Sequence, residues 1–265
     1  MKTKYLACVL FLLVHCPSQL FGQGFTVVFP QFADGTFSDG SFYRSTVIVQ
    51  SSDSIFTQHC AIWTYGVPTP KFTNATGQVF TLSTTNELPF TLNSLRSQVF
   101  KSAGTNPIST GFIGVGCDGV DWTSYLLFSF YSPTGVKYSE AAVFPSVLDS
   151  NAPAAQLVVD QREGAQLGMA IANPDTRAGV FILTIRDSAG NFVNKASVTL
   201  PAFGQTATFL NQLVTLPANF VGTVSILPLH QYAGPTPYVI GLRFTGTAST
   251  TVPVTLCYSG DFCAN

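Results

Sequence analysis

The stretch Val180-Phe181-Ile182-Leu183-Thr184-Ile185-Arg186 is followed directly by Asp187-Ser188-Ala189-Gly190-Asn191. The first segment is rich in β-branched and apolar side chains, which are enriched in β-strands. The second segment is typical of a turn, because Asp and Asn bond to nearby backbone groups and Gly accepts unusual backbone angles. Together the two segments predict a strand that runs into a hairpin turn.

Short apolar runs of the same kind recur along the chain and are separated by Gly, Pro, Asn and Ser. They cover residues 46–50, 60–65, 111–117, 126–131, 168–172, 223–227 and 238–244. One helix-like stretch, 205–213, is short enough to be a strand followed by a turn of helix. Many short strands with no long helical period predict an all-β protein built from antiparallel β-sandwiches.

The second half of the chain repeats the first in the same order. Residues 45–53 match 167–175, and Leu88-Pro89 matches Leu200-Pro201. Further on, Gly111 opens a segment that matches one at Gly222, and Tyr125 opens one that matches Tyr238. The offset falls from about 122 to about 112 residues, which a longer loop at 68–85 in the first copy explains. Chance likeness between two β-rich stretches is the alternative.

The order of these segments predicts two tandem immunoglobulin-like domains. We expect a signal peptide at 1–22, a first sandwich repeat at 25–148, a second repeat at 155–258 and a C-terminal tail at 259–265. Residues 149–153 would link the two repeats. Each repeat is long enough to bury a core of its own.

The amino-terminal residues predict export. Lys2 and Lys4 precede an apolar run from Tyr5 to Val14, the pattern of a secretory leader, with cleavage after Gly22. The run is too short to span a bilayer, and no membrane span is predicted elsewhere. A lipoprotein signal at Cys16 is an alternative. We therefore expect a secreted protein, extracellular or at the cell surface.

Four cysteines remain after cleavage: Cys60, Cys117, Cys257 and Cys263. In an oxidising compartment they can pair in three ways. Proximity favours Cys257 with Cys263, which leaves Cys60 with Cys117. A zinc site is the alternative, but the close ligand spacing that zinc sites use is absent from the sequence.

The composition excludes two classes of protein. The chain has a formal net charge of −1 and 9% charged residues, so it lacks the cationic excess that nucleic-acid binding requires. It is also 46% hydrophobic, which is incompatible with intrinsic disorder. Phe, with 23 residues, is the expected core-filling side chain.

Several motifs together resemble those of a known group of proteins. They are Phe29-Pro30-Gln31-Phe32-Ala33-Asp34-Gly35, Ser139-Glu140-Ala141-Ala142-Val143, Ala170-Ile171-Ala172-Asn173-Pro174, Leu200-Pro201-Ala202-Phe203-Gly204-Gln205, Phe209-Leu210-Asn211 and Gly241-Leu242-Arg243-Phe244-Thr245. The chain resembles secreted bacterial proteins built from tandem β-sandwich repeats, which have no established activity. Ser51-Ser52 departs from this pattern, since Asn-Pro is expected there. The resemblance implies an architecture and a bacterial extracellular location, not a reaction.

Residues that could carry catalysis are scattered along the sequence. The histidines His59 and His230 and the acidic residues Glu87, Glu140, Glu163 and Asp121 form no recognisable motif, and no G-x-S-x-G elbow is present. The segment 34–40 could suggest calcium, but its Asp-Gly pairs favour turns. We predict no catalytic residue, cofactor or metal site.

Two pairs of aromatic residues could stack on sugar rings. Trp63 and Tyr65 alternate along one predicted strand, while Trp122 and Tyr125 lie near the end of a loop. Packing in the core is the alternative for each pair, because a strand Trp beside a Cys commonly packs on a disulfide.

The sequence therefore favours a structural or interaction module without catalytic activity. Its expected partner is a protein or a polysaccharide at the cell surface. The first alternative is a carbohydrate-binding module, and the second is an atypical secreted hydrolase.

Overall fold

The structure is a computed structural model that describes residues 26–67, 70–82, 87–104, 107–146, 154–229 and 236–257. The predicted signal peptide, linker and C-terminal tail, together with Cys263 and His230, lie outside the described residues. The described chain is all-β with antiparallel pairing, as the sequence predicts. We call residues 26–146 the first half and 154–257 the second half.

The first half contains ten strands. They are β1 (Thr26–Thr36), β2 (Phe42–Ser51), β3 (Gln58–Tyr65), β4 (Lys71–Asn74), β5 (Val79–Thr81), β6 (Glu87–Leu92), β7 (Ser97–Ser102), β8 (Ser109–Cys117), β9 (Trp122–Tyr131) and β10 (Lys137–Val143).

These ten strands form one hydrogen-bonded sheet that folds over at β1. Most of β1 pairs with β8, and its last two residues, Gly35 and Thr36, pair with β2. One layer, sheet A, has the order β1-β8-β3-β6, and the other, sheet B, has the order β5-β4-β7-β2-β9-β10. Near its middle β1 has a bulge, where Pro30 and Gln31 together face Phe112.

The second half contains nine strands and one turn of helix. They are β11 (Ala154–Asp160), β12 (Gln166–Ala172), β13 (Gly179–Asp187), β14 (Phe192–Leu200), β15 (Gln205–Phe209), α1 (Leu210–Leu213), β16 (Val221–Pro228), β17 (Tyr238–Thr245), β18 (Ala248–Val252) and β19 (Val254–Cys257). Sheet C has the order β14-β13-β16-β11-β19, and sheet D has the order β15-β12-β17-β18. A single 3-10 turn spans Arg162–Gly164.

The stretch at 180–191 folds as its sequence predicts. It forms β13 and the turn to β14, and the side chains of β13 alternate between buried and half-buried. The Asp187 carboxylate accepts the N–H groups of Ala189 at 2.9 Å and Asn191 at 2.8 Å, and Gly190 has a φ of 86°. The helix-like stretch is a strand followed by one turn of helix, β15 and α1.

Each half has its own hydrophobic core. Between sheets A and B lie fully buried phenylalanines, which confirms Phe as the core-filling side chain: Phe29, Phe32, Phe72 and Phe100. Between sheets C and D lies a core of mainly aliphatic side chains from β11, β12, β13 and β16.

The strand pairings of the first half recur in the second half. The pairs β1·β8, β2·β7, β2·β9, β3·β6, β3·β8 and β9·β10 correspond in order to β11·β16, β12·β15, β12·β17, β13·β14, β13·β16 and β17·β18. Strands β4 and β5 have no counterpart, and they occupy the stretch that the sequence predicts to be a longer loop in the first half.

Corresponding turns also share backbone detail. The N–H of Leu95 bonds to the carbonyl of Asp53 at 2.9 Å, and the N–H of Phe203 bonds to that of Asp175 at 3.1 Å. Leu95 and Phe203 have nearly equal positive φ angles, 54° and 51°. Such angles are uncommon for residues other than glycine. The turns at Leu95 and Phe203 therefore share an unusual backbone conformation as well as a hydrogen bond.

Two of the residue matches made from the sequence shift in the structure. If Leu95 corresponds to Phe203, then Leu200 corresponds to Leu92 and not to Leu88, because both lie three residues before the turn. Ile48 and Ala170 are matched positions of the two halves. Ile48 pairs with Tyr125 and Ala170 pairs with Ile240, so Tyr125 corresponds to Ile240 and not to Tyr238.

The strand order differs from that of an immunoglobulin domain. There the first two strands lie in one sheet, whereas β11 and β12 lie in different sheets, C and D. In the part of the chain that the structure describes, no helix has the length and apolar character needed to cross a bilayer.

Gly111 lies where a strand has no room for a side chain. A Cβ there would lie 2.0 Å from the carbonyl oxygen of Tyr65, whereas a Cβ at Gly114 would meet its nearest atom at 3.6 Å. We expect Gly111→Ala to lower the free energy of unfolding by about 3 kcal/mol, because the backbone of β3 must move. Gly114→Ala, on the same strand, should change it by less than about 1 kcal/mol. Urea unfolding followed by circular dichroism measures both, and equal effects would contradict this packing.

Candidate binding cleft between the two halves

The outer face of sheet D packs against the first half. Along β12 the large side chains Leu167, Met169 and Ile171 point into the core of the second half. The residues between them are small, namely Gly168, Ala170 and Ala172. Ala170 belongs to the core cluster of the first half, so the two halves share buried apolar surface.

Three aromatic rings stack at one end of this interface. The ring of Tyr65 lies 4.6 Å from that of Phe112, at 14° between planes, and 5.3 Å from that of Phe203, at 12°. Phe203 comes from the turn between β14 and β15, so the stack joins the two halves. Offset stacking of this kind stabilises an interface by about 1 kcal/mol beyond area burial.

Hydrogen bonds also cross the interface. The N–H of Val239 bonds to the Ser146 hydroxyl at 3.0 Å. The side-chain NH2 group of Gln205 donates to the side-chain oxygen of Gln31. The Thr251 hydroxyl donates to the carbonyl of Ala142 on β10. Because Gln31 lies in the bulge of β1, the bulge brings this polar side chain to the interface.

Beside these contacts the halves leave a cleft of about 470 Å³. It is lined by residues of β1, the turn after β1, β2, the segment before β8, β8, β9 and β10 from the first half and of β12, β15, α1, β17 and β18 from the second. They are Gln31, Ala33, Phe37, Tyr43, Ile108, Thr110, Phe128, Ser139, Gly168, Met169, Ala170, Ala207, Thr208, Phe209, Gln212, Ile240, Leu242, Phe244 and Ser249.

The cleft has a floor of small side chains and walls of aromatic rings. Ala170 lies opposite Ala207 on β15, and together with Gly168 these residues keep the floor low. Phe209 and Phe244 form one wall and meet edge to face, with ring centres 5.3 Å apart. From the first half, Phe37 and Tyr43 form the facing wall, with ring centres 5.9 Å apart.

Uncharged side chains line the whole cleft, as far as the described residues show. Burial raises the pKa of the Tyr43 phenol above its usual value, so this ring stays neutral. The polar contribution comes from amides and hydroxyls. The Gln212 side-chain oxygen accepts the Thr208 hydroxyl at 2.8 Å and the N–H of Phe209 at 3.0 Å, which caps α1.

Most charged pairs lie away from the cleft. The side-chain hydrogen bond from Arg177 is the main reason that the pKa of Asp175 falls to about 2. In the same way, the side-chain hydrogen bond from Arg162 holds the pKa of Asp160 well below its usual range. Asp34 is fully buried in β1, where the Ser102 hydroxyl donates to it at 2.7 Å. Among the described residues, no group of three or more His, Cys, Asp or Glu side chains could hold a metal ion.

The segment predicted to be a turn is divided between a strand and a turn. Asp34 and Gly35 lie in β1, where Gly35 pairs with Tyr43. Of the two Asp-Gly pairs, the second, Asp39-Gly40, lies in the turn to β2. The N–H of Gly40 bonds to the carbonyl of Phe37 at 3.0 Å.

The four aromatic residues that the sequence offers for sugar stacking do not form one surface. Trp122 is only 8% exposed, packs in the first core, and its ring N–H bonds to the carbonyl of Gly119 at 3.0 Å. Tyr125 lies half-buried on the opposite, outer face of sheet B. Trp63, on sheet A, lies over Gly114 and Gly116 of β8, and Tyr65 belongs to the ring stack between the halves.

The candidate catalytic residues likewise lie on separate elements. His59 is exposed on β3, and its backbone N–H bonds to the Asp118 carboxylate at 2.9 Å. Glu87 is at the start of β6, opposite Trp63. Glu140 accepts from Ser129 and Lys137, while Glu163 and Asp121 lie in turns on different halves.

The predicted disulfide between Cys60 and Cys117 is present and joins directly paired residues of β3 and β8. Cys257 is also disulfide-bonded, whereas the partner predicted for it, Cys263, lies outside the described residues.

The residues of the cleft are not identified by the sequence reasoning. One signal in the sequence could have suggested them. In 167–172, large and small apolar side chains alternate, which is typical of a strand covered on both faces, with another layer close to the small side chains. The aromatic walls have no such signal, because they come from three separate strands, β2, β15 and β17, and from the turn after β1.

Comparison of the chain with models of known families, with curated proteins and with solved structures finds no match in any of the three. The resemblance to secreted bacterial repeat proteins therefore stays a prediction.

Burial of Tyr238 at the interface makes the stability of the protein depend on alkaline pH. Burial, with a smaller contribution from Tyr65, raises the pKa of Tyr238 to about 12. The folded state therefore holds this proton more tightly than the unfolded state, whose phenol titrates near pH 10. Its stabilising effect is complete below pH 10 and is lost as the pH rises towards 12.

We expect the free energy of unfolding to fall by about 2 kcal/mol more in the native protein than in Tyr238→Phe between pH 9 and pH 12. Urea unfolding at a series of pH values measures the difference. Parallel curves for the two proteins would show that the phenol is not buried as described.

Proposed function

We propose that the chain is an exported, non-catalytic binding module built from one sandwich design used twice, and that the cleft between its halves is the recognition site. The observation that carries this proposal is the cleft, a concave space of about 470 Å³ lined by apolar and uncharged polar side chains. Pockets of this size and lining are the usual form of sites for small ligands.

The strand pairings support a tandem repeat. Six pairings recur in the same order, and the turns at Leu95 and Phe203 share both a hydrogen bond and a positive φ. Gly111 and Gly222 also correspond, since a Cβ on either would lie 2.0 Å from a carbonyl oxygen of the neighbouring strand. Agreement in such uncommon details favours a repeat over chance similarity between β-rich segments.

Two features support an extracellular location. The amino-terminal residues have the charge and the apolar run of a secretory leader. The disulfide between Cys60 and Cys117 is of a kind that persists in oxidising compartments and is rare in reducing ones.

The chemistry of the cleft supports binding without turnover. Catalysis of hydrolysis normally needs a general acid, a base or a nucleophile positioned at the substrate. The described lining offers carboxamides, hydroxyls and aromatic rings, and these groups position a ligand by hydrogen bonds and contact.

Filling the cleft tests the proposal. Ala207 is exposed on the edge strand β15 and lines the cleft, so Ala207→Phe should fill it without disturbing a core. Ser197→Phe, on the edge strand β14 of sheet C, is the matched control. Thermal unfolding of the three proteins would be measured with neutral lipophilic compounds, oligosaccharides and peptides.

We expect at least one class to stabilise the native protein and Ser197→Phe but not Ala207→Phe. A ligand at about a hundred times its Kd stabilises a protein by about 2.7 kcal/mol. Stabilisation of all three proteins alike would place recognition elsewhere. Turnover of generic ester or glycoside substrates that depends on His59 or on a single carboxylate would contradict the non-catalytic assignment.

A further inference from the structure

We propose that the cleft binds a single uncharged small molecule with a largely apolar body and one hydrogen-bond acceptor, such as a ketone, ester or amide oxygen. This inference rests on the proposed function and adds the chemical class of the ligand. It follows from the volume of the cleft, its charge and the orientation of two glutamine side chains.

The volume favours a small molecule over a protein segment. The cleft lies between two halves that are already joined by the Tyr65 ring stack and by the Gln31–Gln205 hydrogen bond. Its volume of about 470 Å³ lies in the range of about 300–1,000 Å³ that is typical of pockets for small ligands.

The lining selects against charge. A charged ligand would lose its hydration on entering and would find no counter-charge among the described lining residues. Apolar contact is available on both sides, from Phe209 and Phe244 on one wall and from Phe37 and Tyr43 on the other. A ring system or a branched aliphatic body would bury its surface between these walls.

The two glutamines select an acceptor on the ligand. The side-chain oxygen of Gln212 accepts two hydrogen bonds, from Thr208 and Phe209, and that of Gln31 accepts one from Gln205. These bonds orient both carboxamides through their oxygen atoms. The NH2 group of each is then the part that can donate a hydrogen bond to a ligand. Within the described chain, neither NH2 group has an acceptor. A ligand with an oxygen acceptor can therefore replace water as the partner of these donors.

Three fluorescent probes separate these requirements. N-phenyl-1-naphthylamine is uncharged and apolar, and 8-anilino-1-naphthalenesulfonate is its sulfonated, anionic counterpart. The third, 6-propionyl-2-(dimethylamino)naphthalene, is an uncharged aromatic ketone. Titration of the full chain with each probe gives Kd values for the native protein, Ala207→Phe, Ser197→Phe and Gln212→Glu.

Both uncharged probes should bind to the native protein and to Ser197→Phe, and Ala207→Phe should weaken them at least about tenfold through loss of space. The anionic probe should bind at least about tenfold more weakly than its uncharged counterpart. Gln212→Glu keeps an oxygen for Thr208 and Phe209 but removes the NH2 donors. It should weaken the ketone about three- to tenfold relative to N-phenyl-1-naphthylamine, because one hydrogen bond is lost.

The outcomes distinguish the ligand class from the proposed function. Equal binding of the anionic and uncharged probes, or an unchanged ketone preference in Gln212→Glu, overturns the ligand class. The same holds if only oligosaccharides or peptides bind in a manner sensitive to Ala207→Phe, and in that case the cleft remains the recognition site. If Ala207→Phe affects no class of compound, both proposals fail.

Discussion

The alternation of large and small apolar side chains along β12 is the constraint on which the shape of the molecule depends. One face of the strand supplies the core of the second half. The other face presents Gly168, Ala170 and Ala172, which bury little surface individually and let another layer approach closely. Burying this face draws the first half against sheet D, since exposed apolar area costs about 25 cal/mol per Å². The cleft is the part of the interface that the bulky rings hold open.

The backbone at Phe203 shows how a shared turn acquires a specific role. Leu95 and Phe203 have the same uncommon φ, a conformation that costs about 1–3 kcal/mol for a non-glycine residue. Leu95 remains 66% exposed, whereas the ring of Phe203 stacks on Tyr65. The same turn geometry thus occurs in both halves, and its apolar side chain contributes to the interface only in the second half.

Local chemistry could be predicted from the sequence, but pairing between distant strands could not. The hairpin after β13 and the helical turn α1 depend on neighbouring residues, and the Cys60–Cys117 disulfide follows from the small number of cysteines. Strand order depends on contacts between residues far apart in the chain, which alternation does not specify. The aromatic walls of the cleft were unpredictable for the same reason, because they come from segments far apart in the chain. Trp122 shows a further limit, because a residue at the end of a loop can still be buried.

The positions that correspond to the interface residues, each in the other half, carry side chains of different chemistry. In the first half, the positions equivalent to Gly168 and Ala170 are Thr46 and Ile48, larger side chains that prevent close approach of another layer. In the second half, Arg186 takes the place of Tyr65, as the carbonyl contacts of Gly222 and Gly111 show. The Arg186 guanidinium donates to the carbonyl of Gly190 at 3.1 Å, a contact within its own hairpin, whereas the Tyr65 ring stacks across the interface. Within the described chain, the small side chains that allow close approach of another layer therefore lie on β12 and not at the equivalent positions of β2.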